Sequence, residues 1–231
     1  MPTQADALDP VLGSSKAILF DFDGPICDVF RGLPASGIAE ELADLLAVLA
    51  PGLERRARAT DDPMEVHRIS QEGGSTVLAA VEAALTAAEV RAVKVAGGPT
   101  EGCVQALHAA RDTGRRVAVV SNNSSDCVRE YVTLHGLEEV VDEIIGRPSL
   151  QPDLMKPSPH PLLTAASALG VAPGLTVLVG DSVTDVEAAH AAGARSIGYA
   201  NKASKEVSLV DAGADVVVLG MQEIADSLNS G

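Results

Sequence analysis

Two aspartates, Asp21 and Asp23, stand two positions apart at the end of the apolar run Ala17-Ile-Leu-Phe20, and Gly24 follows at once. Side chains alternate along an extended chain, so residues at i and i+2 can start from the same side. Two carboxylates held together at a strand end repel each other and lose hydration. A hard cation between their oxygens offsets both costs, and Mg²⁺ binds in this way, often together with a substrate phosphate. Gly24 lets the backbone turn with φ > 0 or approach a ligand closely. A strand running into a polar turn would give the same letters, and short acidic patterns recur by chance.

Three further groups also follow apolar runs or helix-start signals. Ser121-Asn-Asn-Ser-Ser125 comes after Val117-Ala-Val-Val120. A hydroxyl there can hold a phosphate oxygen while the free N–H groups of the next helix face the anion. Ser124 or Ser125 suits a helix cap instead, and Ser121 is too early for that. Lys156 opens Lys156-Pro-Ser-Pro-His-Pro161, where three prolines keep the chain extended, and it is the only lysine between Lys94 and Lys202. One ammonium aimed at several anions can tie them together, and an exposed loop lysine is the alternative. Gly180-Asp-Ser-Val-Thr-Asp185 follows Val177-Leu-Val179. Asp181 repeats the strand-end logic of Asp21. Ser182 and Asp185 fit a capping box, and Asp185 can also support a metal shell.

These groups need elements that bring them together. Residues 16–22 read as a first, buried strand. From 29 to 96 the periodicity is helical: Ile38, Leu42, Leu45, Leu46 and Leu49 recur at helical spacing, as do Val77, Leu78, Val81, Leu85 and Ala88. A short helical segment over 61–69 lies between them. The block carries 7 Lys/Arg against 10 Asp/Glu, much less of the negative charge than the remainder. It reads as a small helical domain inserted after the first strand, with Gly97-Gly-Pro99 as the return hinge. Beyond it, helices over 101–113, 124–135, 160–169, 184–192 and 221–228 alternate with strands over 116–120, 140–145, 175–179, 196–199 and 216–219. Such alternation implies a parallel sheet covered on both faces, with ligands beyond the carboxyl ends of its strands.

The whole-chain properties narrow the class. With 231 residues, 46% of them hydrophobic, the chain can bury one good core and a smaller appended one. No apolar run reaches the roughly 18 residues of a membrane helix. The start, residues 1–10, lacks the pattern of a signal peptide and reads as a frayed tail. Cys27, Cys103 and Cys127 lack C-x-x-C spacing and fit inert thiols of a reducing cytoplasm. A formal charge of −15 argues against nucleic acid as a partner. An acidic protein that handles phosphate must neutralise it locally, with a metal and a few placed cations.

Taken together and in this order, Asp21-Phe-Asp23-Gly24, Ser121-Asn122, Lys156-Pro157 and Gly180-Asp181-Ser-Val-Thr-Asp185 resemble the four motifs of the haloacid dehalogenase-like hydrolase superfamily. The resemblance spans nearly the whole chain, and residues 156–199 are especially similar to the phosphoglycolate phosphatase-like branch. It implies a Rossmann-like, doubly wound parallel core formed by residues 1–28 and 97–231, with residues 29–96 as an inserted α-helical cap. It implies Asp21 as the nucleophile that forms an aspartyl-phosphate, Asp23 as the general acid and base, and Lys156 as the group that stabilises both nucleophile and phosphoryl. Ser121, with Asn122 and Gly24, would bind the phosphoryl. Asp21, Asp23 through its carbonyl, and Asp181 would hold Mg²⁺, with Asp185 in support.

The expected function is thus Mg²⁺-dependent hydrolysis of a small phosphorylated metabolite by a cytoplasmic enzyme, a monomer or homodimer with neither nucleic-acid nor membrane partners. A sugar-phosphate mutase on the same scaffold, or a phosphate-binding or signalling module that does not turn over, are the alternatives. Asp23 argues against the last, because hydrolysing the intermediate needs it. The dehalogenases of the superfamily lack an acid there. Pro25 departs from the Thr or Val usual after the first motif and removes a backbone N–H. Arg31 could reach substrate from the hinge. Arg55, Arg56 and Arg58 read as a solvated face, His67 as a surface histidine, and Lys94 as no true mutase residue.

Overall fold

The computed structural model describes residues 4–230. Six strands, β1 (Ala17–Phe20), β2 (Arg116–Val120), β3 (Glu143–Ile145), β4 (Thr176–Gly180), β5 (Arg195–Tyr199) and β6 (Val216–Val218), form one sheet in the order β3-β2-β1-β4-β5-β6. Every neighbouring pair is parallel, and Leu19 of β1 lies opposite Ala118 of β2 and Leu178 of β4. The helices are α1 (Gln4–Gly13), α2 (Ala35–Leu49), α3 (Glu54–Ala57), α4 (Pro63–Ser70), α5 (Ser75–Val93) and α6 (Cys103–Asp112). They continue with α7 (Ser125–Leu134), α8 (His160–Leu169), α9 (Val183–Ala192), α10 (Ala203–Asp211) and α11 (Met221–Ser230).

The strands are apolar throughout because both faces of the sheet are buried. Ile18, Phe20, Val117, Val119, Val177 and Val179 point into a core closed by α1, α6, α7 and α11. Ala17, Leu19, Ala118, Val120 and Leu178 point the other way, against α8 and α9. The architecture is the doubly wound α/β fold that the alternation of elements implies.

Two helices lie outside the helical segments expected from spacing. The part of the expected tail that is described, from Gln4 onward, is α1, with Leu8, Val11 and Leu12 buried in the main core; residues 1–3 lie outside the described residues. The frayed-tail reading is therefore corrected: Pro10 in the middle of the segment conceals helical spacing. Helix α10 buries only Leu209, which packs on Val186 and Ala200, so its sequence carries no apolar stripe to read.

Helices α2 to α5 enclose a hydrophobic cluster of their own, built on Ile38, Leu42, Leu46, Val66, Val81 and Leu85. Phe30 and Leu33 pack against this cluster and against the main core, and the end of α5 reaches the main core through Ala92 and Val93. After β1 the chain builds β2 and β3 on one side of it, then crosses to build β4, β5 and β6 on the other. The carboxyl ends of β1, β2 and β4 therefore flank the switch point of the sheet, where open α/β folds place their ligands.

Candidate active site

Asp21 leaves β1 at the centre of this switch point. Its Oδ1 accepts from Phe22 N–H at 2.7 Å and from Lys156 Nζ at 2.7 Å. Among the described residues no donor reaches Oδ2, so that oxygen faces the cavity unengaged. Lys156 also donates to the carbonyl of Val120, the last residue of β2, at 3.1 Å. It forms an ion pair at 2.6 Å with Asp185 Oδ1, at an angle unsuited to a hydrogen bond. One buried ammonium thus draws together the ends of β1 and β2 and the first turn of α9. The loop before α8 brings Lys156 there, and the Lys156–Pro157 peptide in it is cis. Asp185 fills the capping use foreseen for it, its Oδ2 accepting from Ser182 N–H at 3.1 Å in a complete capping box.

Asp181 directly follows β4, and its Oδ2 accepts from Asn201 at 3.1 Å and from the ammonium of Lys205 on α10. Gly24 has φ +110°, and a Cβ there would lie 2.3 Å from Asp181 Oδ2. Glycine is required at this position by the approach of a carboxylate as much as by the turn. Asp23 is held by Val29 N–H, which donates to its Oδ1 at 3.0 Å. Asp21, Asp23, Ser121, Asn122, Lys156 and Asp181 share the lining of one cavity of about 200 Å³.

Ser121 and Asn122 begin the loop after β2. Ser121 Oγ accepts from Asn123 N–H at 3.0 Å and donates to Asn123 Oδ1 at 3.1 Å. The amide of Asn122 is spent on the backbone of Lys156, accepting from its N–H at 2.9 Å and donating to its carbonyl at 3.3 Å. Its side chain holds Lys156 in place. The same loop is gripped from the helical block. Glu89 on α5 accepts from Asn123 Nδ2 at 3.2 Å and Ser124 N–H at 3.0 Å. Buried Arg147 donates to Glu89 at 2.8 Å, to Thr86 at 3.1 Å and to the Asn122 carbonyl at 3.0 Å.

The charge balance at the cavity is uneven. Four carboxylates, those of Asp21, Asp23, Asp181 and Asp185, face two ammonium groups, those of Lys156 and Lys205. Burial, and then the neighbouring Asp185, hold the Asp21 carboxyl well above the usual range despite Lys156. Burial raises Asp23 to about 6, against the stabilising Val29 N–H, and raises Asp181 against Lys205. Burial pulls the Lys156 ammonium down, but Asp185 and Asp21 more than offset this and hold it above its ordinary value. Oxygens of Asp21, Asp181 and Asp185 all lie within 4.8 Å of one another. Hard carboxylate oxygens with two uncompensated negative charges suit a hard divalent cation, so the residues present fit a metal.

A profile of haloacid dehalogenase-like hydrolases matches residues 15–193. The chain belongs to this family. It is 29% identical over 204 residues to the phosphoglycolate phosphatase of Xylella fastidiosa, covering 82% of this chain and 83% of that one. A crystal structure of a predicted phosphoglycolate phosphatase from Haemophilus somnus has a TM-score of 0.67 at 20% identity, over 92% of this chain and 97% of that one. CbbY from Rhodobacter sphaeroides, in complex with phosphate, has a TM-score of 0.65 at 22% identity, over 93% and 99%. At such identities the two structures speak to the fold alone.

In this haloacid dehalogenase-like hydrolase, residues from all four motifs meet at one cavity. Lys205, Glu89 and Arg147 escaped the sequence reading. Lys205 lies on the unforeseen α10, and Glu89 and Arg147 are 58 positions apart in elements of different type, so no local pattern joins them. His67 is a correction: it is buried inside the helical block, 3.3 Å from Glu82. Burial, with Arg147 nearby, lowers it to about 4. Arg31 is exposed and does not line the cavity; it points toward Gly97. Lys94 pairs with Glu130 at 3.1 Å. Arg56 and Arg58 form exposed ion pairs, as a solvated face should. All three cysteines are free and buried, and burial pushes Cys27 and Cys103 up to about 12. Among the described residues no helix is long and apolar enough to cross a membrane.

Proposed function

We propose that this protein is a Mg²⁺-dependent phosphatase of small phosphorylated metabolites, working through an aspartyl-phosphate on Asp21. Oδ2 of Asp21 attacks phosphorus while the bond to the leaving oxygen breaks, and the Asp23 carboxylic acid gives that oxygen its proton. Water then attacks the same phosphorus, the Asp23 carboxylate takes its proton, and the bond to Asp21 breaks. A pKa near 6 lets Asp23 serve in both states around neutral pH. Ser121 would turn its hydroxyl from Asn123 to the phosphoryl, and Lys156 would offset charge at Asp21 and on the phosphoryl oxygens. Mg²⁺ would be held by Asp21, Asp181 and the carbonyl of Asp23, with Asp185 in support, and would supply positive charge to the transferring group.

Residues 29–96 would act as a cap that excludes water and selects substrate, over a core of residues 1–28 and 97–231. Buried thiols suit a cytoplasmic protein, and the excess of negative charge suits one without nucleic-acid partners. The observation that carries the reading is the Asp21 carboxylate, fixed by Lys156 on one oxygen and open on the other, beside Asp23 in one cavity.

Phosphate release from a panel of phosphate monoesters tests it, run with Mg²⁺, with EDTA, and with Asp21→Asn. Release that needs the metal and disappears in the variant is expected. No release from any ester by folded, metal-loaded protein would contradict it and turn attention to a mutase or a non-hydrolytic module.

A further inference from the structure

The cavity that holds Asp21 has a second wall, supplied by Phe30, Asp62 and Met64. Asp62 and Met64 open α4 in the helical block, and Asp62 caps that helix by accepting from Met64 N–H through Oδ1. Its second oxygen has no such duty. This wall faces whatever the phosphoryl group is attached to, so its chemistry sorts leaving groups.

A leaving group with a carboxylate or a second phosphate needs a cation to meet it. Among the described residues lining the cavity, Lys156 is the sole cation, and it is committed to Asp21 and Asp185. Arg147 stands behind Met64, its Nη1 3.6 Å from the Met64 sulfur, but Glu89 neutralises it, its Nη1 and Nη2 donors are spent within the buried network, and its Nε is buried out of reach of the cavity lining. In the helical block Arg56, Arg58 and Arg68 pair with acidic neighbours. A neighbouring cavity holds Lys202 and Lys205 but also Asp23, Asp28 and Asp181, so it is no better for an anion. What the second wall does offer is a carboxylate, an aromatic ring and a thioether. A carboxylate accepts hydrogen bonds, and an aromatic face attracts cations.

We propose that the leaving group is a small alcohol bearing hydrogen-bond donors, of the amino-alcohol or polyol type, and carrying no anionic group. This rests on the phosphatase reading. The cavity measures about 200 Å³ and is partly open to solvent, so the chemistry of its wall rather than its size sorts the alcohol. It also separates this chain from a relative that bears the name of a carboxylate-containing substrate, phosphoglycolate.

The test compares kcat/KM for phosphoethanolamine, glycerol phosphate and phosphoglycolate with Mg²⁺, in the parent protein and in Asp62→Asn and Met64→Lys. Asparagine retains the helix cap, so Asp62→Asn removes charge without removing the α4 start. The parent should turn over one or both donor-bearing esters about tenfold or more better than phosphoglycolate. Phosphoethanolamine in the lead assigns the donor as an ammonium, and glycerol phosphate in the lead assigns it as hydroxyl. Asp62→Asn should shrink the margin over phosphoglycolate, and Met64→Lys should reverse it. Phosphoglycolate preferred by the parent, or a margin indifferent to both substitutions, would overturn this inference and leave the phosphatase reading intact. Release from none of the three, and from no other ester, would overturn both.

Discussion

Two buried charge networks lie close together in this molecule and are built to opposite rules. Between the helical block and the core, Glu89 and Arg147 balance one to one, and Asn123, Ser124, Thr86 and the Asn122 carbonyl take up all their further bonds but that of Arg147 Nε. At the strand ends, four carboxylates face two ammonium groups, and burial, with the carboxylate neighbours adding to it, raises the carboxyls of Asp21, Asp23 and Asp181. The first network is balanced in charge by itself. The second is short of positive charge, and a divalent cation with a phosphoryl group can use that shortage. A charge-balanced network fixes geometry, whereas one short of positive charge is strained until it binds.

The comparison is broken most sharply by single substitutions at each centre. Asp21→Asn should cut phosphate release by about 10³-fold or more, since the nucleophile is lost. The same change should raise the melting temperature by a few degrees without added cation. The Asp21 pKa is raised in the folded protein, so its ionised form is disfavoured at neutral pH and an uncharged amide relieves that. Unchanged stability would mean that the cluster is not strained. Glu89→Leu should act in reverse, destabilising by about 3–5 kcal/mol because Arg147 is left buried and unpaired. Denaturant unfolding checks it, and the double variant Glu89→Leu/Arg147→Met should recover most of the loss. A double variant as unstable as the single one would show that the network supplies more than mutual neutralisation.

His67, beside the charge-balanced network, allows a finer test. Its folded pKa of about 4 lies below the ordinary 6.5. Between those values the unfolded chain binds more protons than the folded one, so the contribution of neutral His67 is fully present above about 6.5 and is lost as pH falls toward 4. The loss should be on the order of 3 kcal/mol. His67→Gln should flatten stability over that window, as read from unfolding at successive pH values. Smallest of all, Glu72→Gln removes an exposed partner of Arg56 and should leave the denaturation midpoint essentially unchanged. A larger effect there would undermine the contrast between buried and exposed pairs.

What could be read from the sequence followed the same division. The strand-end acids and the serine were legible because each stands at a fixed offset from an apolar run, and that offset is what a parallel sheet turns into proximity, while Lys156 stood out as a lone lysine among prolines. The helices of the block were legible from spacing, as Ile38, Leu42 and Leu46 show. The charge-balanced network was not, since a glutamate on α5 and an arginine in a loop after β3 meet only through the packing of the block on the core. His67 looks like a surface residue until Glu82 and Arg147 close around it. Helix α10 has one buried residue and no stripe, and Lys205 went unread with it. In α1 the spacing of Leu8, Val11 and Leu12 was present, and Pro10 argued against it. Pairings that depend on tertiary contact leave no periodic mark.

The most direct measurement is calorimetric titration of the protein with Mg²⁺ near neutral pH, beside Asp181→Asn and Glu89→Gln. One cation per chain should bind the parent with release of protons, as the raised carboxyls ionise on meeting it. Asp181→Asn should abolish this binding, while Glu89→Gln should retain it. No binding to the parent, or equal binding to Asp181→Asn, would contradict the claim that the strand-end cluster is a site awaiting positive charge.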